Sequence, residues 1–87
     1  MAEVEADGQG GFVVEAGTLA RAFDLAPDQV RPLMQGGAIT SRCEKGEGED
    51  AGRWRLTFYH GDRAFRLVVD DAGTVLSRAR FDAPRRG

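Results

Sequence analysis

Apolar and polar residues alternate most regularly between Arg53 and Asp70, and this period of two predicts a pair of strands. In the first, Trp54, Leu56 and Phe58 alternate with Arg53, Arg55, Thr57 and Tyr59. In the second, Phe65, Leu67 and Val69 alternate with Ala64, Arg66, Val68 and Asp70. Gly61-Asp62 between them suits a type II′ turn, which takes glycine at its first central position. That turn pairs His60 with Arg63, and therefore Phe58 with Phe65, Leu56 with Leu67, Trp54 with Val69 and Arg53 with Asp70. A one-residue slip would send each apolar side chain to the wrong face, so the pattern specifies the register.

Upstream, Phe12 to Glu15 reads as a short strand. Leu19, Ala22 and Phe23 then recur at helical spacing behind Thr18, a candidate N-cap, with Arg21 pointing outward. Asp24 to Pro27 interrupts that helix. A second begins with Pro27 in its first turn and Asp28 at the positive end of the dipole, its apolar face being Val30, Leu33 and Met34. Pro32 removes a backbone donor, which predicts a short or kinked helix, and Gly36-Gly37 ends it. Ala38 to Glu44 follows as a strand with Ile39, Ser41 and Cys43 on one side.

Downstream of the hairpin, Asp71-Ala72-Gly73 predicts a three-residue loop with Gly73 in the left-handed region. The last strand, Thr74 to Phe81, would turn Val75, Ala79 and Phe81 inward. Arg55, Arg66, Arg78 and Arg80 would then share the outer face as a candidate contact surface. The expected class is α+β, in the order β-α-α-β-β-β-β, with two short helices on one face of an antiparallel sheet.

Eighty-seven residues suffice for one small domain, expected over residues 11–82 between a disordered segment at 1–10 and a disordered tail at 83–87. The remaining roughly 70 residues bury a small core, a size at which oligomerisation often adds stability. No apolar run approaches the ~20 residues of a membrane helix. The acidic N-terminus lacks the basic and apolar regions of a signal peptide, so a cytoplasmic location is expected. Cys43 is the one cysteine, which excludes an internal disulfide and a multi-cysteine metal site and suggests a buried small apolar residue.

The net charge of −2 hides a division along the chain. Residues 1–50 hold ten acids and four bases, a net of −6, whereas residues 51–87 hold eight arginines and four acids, a net of +4. Eleven of the twelve basic residues are arginine, which pairs with carboxylate or phosphate through two donors at once. The halves can therefore attract one another, in one chain or across a dimer, or the arginines can meet an external anion.

Candidate chemistry is sparse. The loop Gly46-Glu47-Gly48-Glu49-Asp50-Ala51-Gly52 offers hard oxygen ligands together with Glu44, but its spacing does not follow a calcium loop. It serves equally as a solvated connector or as a hinge through which two chains exchange strands. Leu19 to Ile39 has the outline of a helix-turn-helix, although its second helix carries Arg31 alone as a base. His60, the single histidine, is expected at the hairpin tip in solvent, and no nucleophile has a visible base, so no enzymatic activity is expected.

The segment Glu44 to Phe58 (EKGEGEDAGRWRLTF), with Gly37 to Ser41 upstream and Arg66 to Asp70 downstream, resembles a family of short bacterial proteins of unknown function. The likeness is greatest to members from alphaproteobacteria and covers most of residues 12–82. It implies no activity, substrate or cofactor, and it transfers no site residue. The function expected is a non-catalytic protein-interaction or regulatory module acting as a homodimer without a cofactor. The alternative is a nucleic-acid-binding regulator using the helix pair or the arginine face.

Overall fold

The computed structural model describes residues 4–6 and 11–83. Along the chain lie β1 (Val4–Ala6), β2 (Phe12–Val14), α1 (Ala16–Phe23), α2 (Pro27–Gln35), β3 (Ile39–Lys45), β4 (Arg53–His60), β5 (Arg63–Asp70) and β6 (Val75–Asp82). The class is α+β, and the expected order is preceded by one further strand. β3 to β6 form a four-stranded antiparallel sheet in chain order, while β2 leaves that sheet and pairs with β1.

β1 falls within the segment expected to be disordered. Three residues with a single valine carry no readable alternation, yet Val4 sits opposite Val14 and is buried in the core. The other positions of that segment, and the tail from residue 84, lie outside the described residues.

The central hairpin has the register its turn requires: His60 opposite Arg63, Phe58 opposite Phe65, Leu56 opposite Leu67, Trp54 opposite Val69 and Arg53 opposite Asp70. Gly61 has φ of 60° and Asp62 does not share the positive sign, as a II′ turn demands. Gly73 closes the next loop with φ of 88°. There the Asp70 carboxylate accepts the backbone N–H groups of Ala72 and Thr74 at 3.0 and 2.9 Å.

α1 begins before Thr18. The Glu15 carbonyl accepts from the Thr18 N–H at 3.1 Å, and Thr18 faces inward instead of capping. The reason is that the buried stripe of α1 comprises Thr18, Leu19, Ala20 and Phe23, so capping would withdraw Thr18 from that stripe. Asp24, with φ of 61°, ends the helix as the Leu25 N–H reaches the Ala20 carbonyl at 2.8 Å. At the start of α2 the Gln29 side chain turns back to accept from the Ala26 N–H at 2.9 Å. α2 continues through Pro32 and closes when the Ala38 N–H bonds the Leu33 carbonyl at 2.8 Å.

One apolar layer holds the molecule together. Leu19, Ala20, Phe23 and Val30 pack on Leu56, Phe58, Phe65, Leu67 and Val69, with Val4 closing one end. Both helices therefore lie on the same side of the sheet. α2 contributes only Val30 to the buried set.

The faces of β6 differ from expectation. Val69 pairs with Val75 but Val68 pairs with Ser77, so Leu76 is an extra residue in a β-bulge. The bulge inverts every later position. Arg78 and Arg80 stand opposite Leu67 and Phe65, on the helix side, while Ala79 and Phe81 stand opposite Arg66 and Ala64 on the other face. Cys43 also departs from its expected burial: it is exposed, because β3 is an edge strand in which only Ile39 is covered.

Candidate functional site

The face of the sheet turned away from the helices holds Arg42 and Glu44 from β3, Arg55, Thr57 and Tyr59 from β4, Ala64, Arg66 and Val68 from β5, and Ala79 and Phe81 from β6. Thr57 and Ala64 are buried there without a covering helix. Arg66 accounts for part of this: its Nε–H donates to Thr57 Oγ1 at 3.3 Å, and its guanidinium lies 4.9 Å from the Phe81 ring centroid. The aliphatic stem thus shields the sheet while the charge stays near water. Of the four arginines expected on one face, Arg55 and Arg66 are here and Arg78 and Arg80 are on the opposite side. Arg42 belongs to this face and was not among those expected. Phe81 joins Tyr59 there as a second aromatic.

The outer edge of β3, which among the described strands pairs with β4 alone, is a second feature. His60 and Arg63 flank a two-residue turn and exchange both backbone bonds, so His60 directs its N–H and C=O toward β5. Ile39 opposite it must then direct its own away from β4, as must Ser41 and Lys45. The Gly46 N–H, of the alternate set, donates inward to the Arg53 carbonyl at 2.8 Å. Beside this edge, on the helix side, lies a groove of about 530 Å³ lined by β2, α2 and β3. Its walls include Val13, which is 60% exposed, and Met34, which is 39% exposed.

The acidic loop folds back on itself. Gly48–Asp50 forms a 3₁₀ turn closed by the Ala51 N–H to the Gly48 carbonyl at 3.1 Å, and Arg53 approaches Asp50 at 3.9 Å. Glu44, Glu47, Glu49 and Asp50 all stay exposed, with Gly46 and Gly52 half-buried at the loop's ends. Among the described residues no three histidine, cysteine or carboxylate side chains converge as metal ligands.

His60 is not a solvated tip residue. It is half-buried on the helix side, with Nδ1 3.1 Å from the Ala38 carbonyl and its ring edge-on to Phe23 at 5.6 Å. The helix-turn-helix outline resolves into two helices whose inner faces are committed to the core.

A family model described as a family of unknown function matches residues 1–87. The chain belongs to that family, DUF6522. Membership in DUF6522 brings no substrate, partner or site residue. No curated protein and no solved structure matches the chain. No helix among the described residues is long and apolar enough to cross a membrane. The DUF6522 site must therefore be read from its own geometry: a sheet face that no described helix covers, the outer edge of β3, and two arginines carried to the helix side.

Proposed function

We propose that this chain is a non-catalytic interaction module that acts as a homodimer, joined edge to edge through β3. The observation that carries the reading is the self-complementarity of that strand. A two-fold axis perpendicular to the sheet keeps each side chain on its own face, so an antiparallel pair of β3 strands must be centred on a residue. Centring on Cys43 sets Arg42 opposite Glu44 of the partner subunit, twice, at the close non-hydrogen-bonded positions. Ser41 and Lys45 of the partner subunit then exchange backbone bonds through the groups they direct outward. Centring on Arg42 or Glu44 sets like charges opposite one another instead. In the middle of β6, an axis at Arg78, Ala79 or Arg80 sets arginine against arginine. Pairing at β3 also brings the two apolar grooves side by side, covering Val13 and Met34.

Sedimentation equilibrium at micromolar concentration tests this. The wild type is expected at dimer mass. Arg42→Glu and Glu44→Arg each weaken the dimer about tenfold, since two ion pairs become two repulsions worth near 1.4 kcal/mol in all. The double variant restores it by exchanging the charges. A wild-type monomer overturns the homodimer; a dimer indifferent to both reversals overturns the β3 register alone.

A second reading rests on Phe81. With Tyr59, Arg42, Arg55 and Arg66 it gives the uncovered face two aromatics among three cations, a composition that suits single-stranded nucleic acid. Binding of a labelled oligonucleotide that falls steeply with salt, and is lost in Phe81→Ala with the fold intact, would favour it.

A further inference from the structure

The bulge in β6 has gathered positive charge in a place the alternation of the strand did not indicate. Arg78 and Arg80 reach the helix side, where α1 runs past them, and Arg21 of α1 joins them at one cleft. The cleft measures about 290 Å³, and its other walls are Thr18, Ala22 and Phe65. Among the described residues no carboxylate lines it. Neither Arg21 nor Arg80 makes an ion pair among the described residues, where Arg53 with Asp50 is the pair formed.

Thr18 supplies an independent sign. It is 3% exposed, and its hydroxyl is the buried side-chain polar atom that has no hydrogen-bond partner among the described residues. A buried hydroxyl without a partner costs free energy that an apolar residue of the same shape, such as valine, would avoid. Threonine in a helix has two accessible χ1 rotamers, so this hydroxyl can turn toward a group seated in the cleft. Bulges are also common where a strand must re-aim side chains beside a site.

From these observations we infer that the cleft between α1 and β6 is a binding site for a phosphate group, free or as a small monoester. The Arg21 and Arg80 guanidinium groups supply the paired donors that a tetrahedral dianion accepts, and Arg78 adds positive charge at the same cleft. The Thr18 hydroxyl supplies one further donor. Phe65 and Ala22 provide an apolar wall for a small substituent. The volume sits at the small end of the usual range for ligand pockets, which favours inorganic phosphate or a compact ester over a dinucleotide. The inference is independent of the dimer, because β3 lies at the opposite edge of the sheet.

Titration calorimetry of the full chain at fixed ionic strength, with inorganic phosphate and then glycerol phosphate as probes, tests it. Phosphate is expected to bind with amide shifts in an NMR titration confined to residues 18–22, 65 and 78–80. Arg21→Gln and Arg80→Gln each weaken it about tenfold, and Arg31→Gln, on the other helix, leaves it unchanged. Thr18→Val is expected to lose several-fold in phosphate affinity while its thermal midpoint holds or rises, a separation that a purely structural threonine would not produce. Tighter binding of glycerol phosphate identifies a monoester as the ligand; tighter binding of inorganic phosphate identifies the free ion. Chloride producing the same heats and shifts as phosphate overturns the site, as does phosphate binding that survives both arginine substitutions.

Discussion

Trp54 donates its indole N–H to Asp71 Oδ1 at 2.8 Å, tying the start of β4 to the loop between β5 and β6. The same indole meets the Phe12 ring edge-on at 5.4 Å and lies 5.5 Å from the Lys45 ammonium. One side chain thus joins the small β1–β2 pair to the end of the main sheet.

The Trp54–Asp71 bond is exposed, so its contribution is that of an ordinary charge-assisted hydrogen bond, about 1–2 kcal/mol. Asp71→Ala and Trp54→Phe are each expected to lose stability in urea denaturation. The double variant should lose less than their sum, because both remove one interaction.

Neighbouring residues on opposite faces of β5 should differ sharply. Leu67 has no exposed surface and packs in the helix-side core, so Leu67→Ala is expected to cost about 2–5 kcal/mol. Val68, on the uncovered face and half-buried, should cost less than half as much when cut to alanine. Equal losses in denaturant titrations would mean that the uncovered face is packed against something in solution.

Two glycine-to-alanine substitutions should have opposite signs. At Gly73 the added methyl would sit 3.0 Å from the Val4 carbonyl oxygen, on backbone with φ of 88°, and destabilisation of more than about 1 kcal/mol is expected. At Gly17, inside α1, nothing lies within 4 Å of the new methyl. There alanine should stabilise by about 0.5–1 kcal/mol, through helix propensity. Thermal melts of the two variants on either side of the wild type check both.

Pro32 lies inside α2 and provides no N–H for the Asp28 carbonyl. Pro32→Ala restores that bond but frees the unfolded chain, and a net gain of about 1–2 kcal/mol is expected. Circular dichroism should show a higher thermal midpoint with slightly more helix.

Where local chemistry decides geometry, the chain could be read directly. Gly61-Asp62 and the flanking alternation specify the β4–β5 register pair by pair, since one slip would expose Leu56, Phe58, Phe65 and Leu67 together. Gly73 marks its own loop for the same reason. Other features depend on partners far along the chain. Val4 has meaning only once Val14 and the end of the core are in place. His60 is drawn inward by Ala38 and Phe23, neither of which is near it in sequence. Thr18 resembles a cap in composition, and only the packing of α1 on β5 shows that it faces inward. The candidate arginine surface was half legible: Arg55 and Arg66 follow the simple alternation, whereas Arg78 and Arg80 follow a bulge that leaves no mark in residue type.

The bulge therefore acts as a parity switch. Were Leu76 to pair with Val68 in a regular ladder, the same residues would place Ser77 and Ala79 over α1 and give the outer face two further cations. Deleting Leu76 would instead let Ser77 follow Val75 in the ladder and leave Arg78 and Arg80 on the helix side. Which side of the sheet carries the charge is thus set by whether one residue is looped out of the pairing.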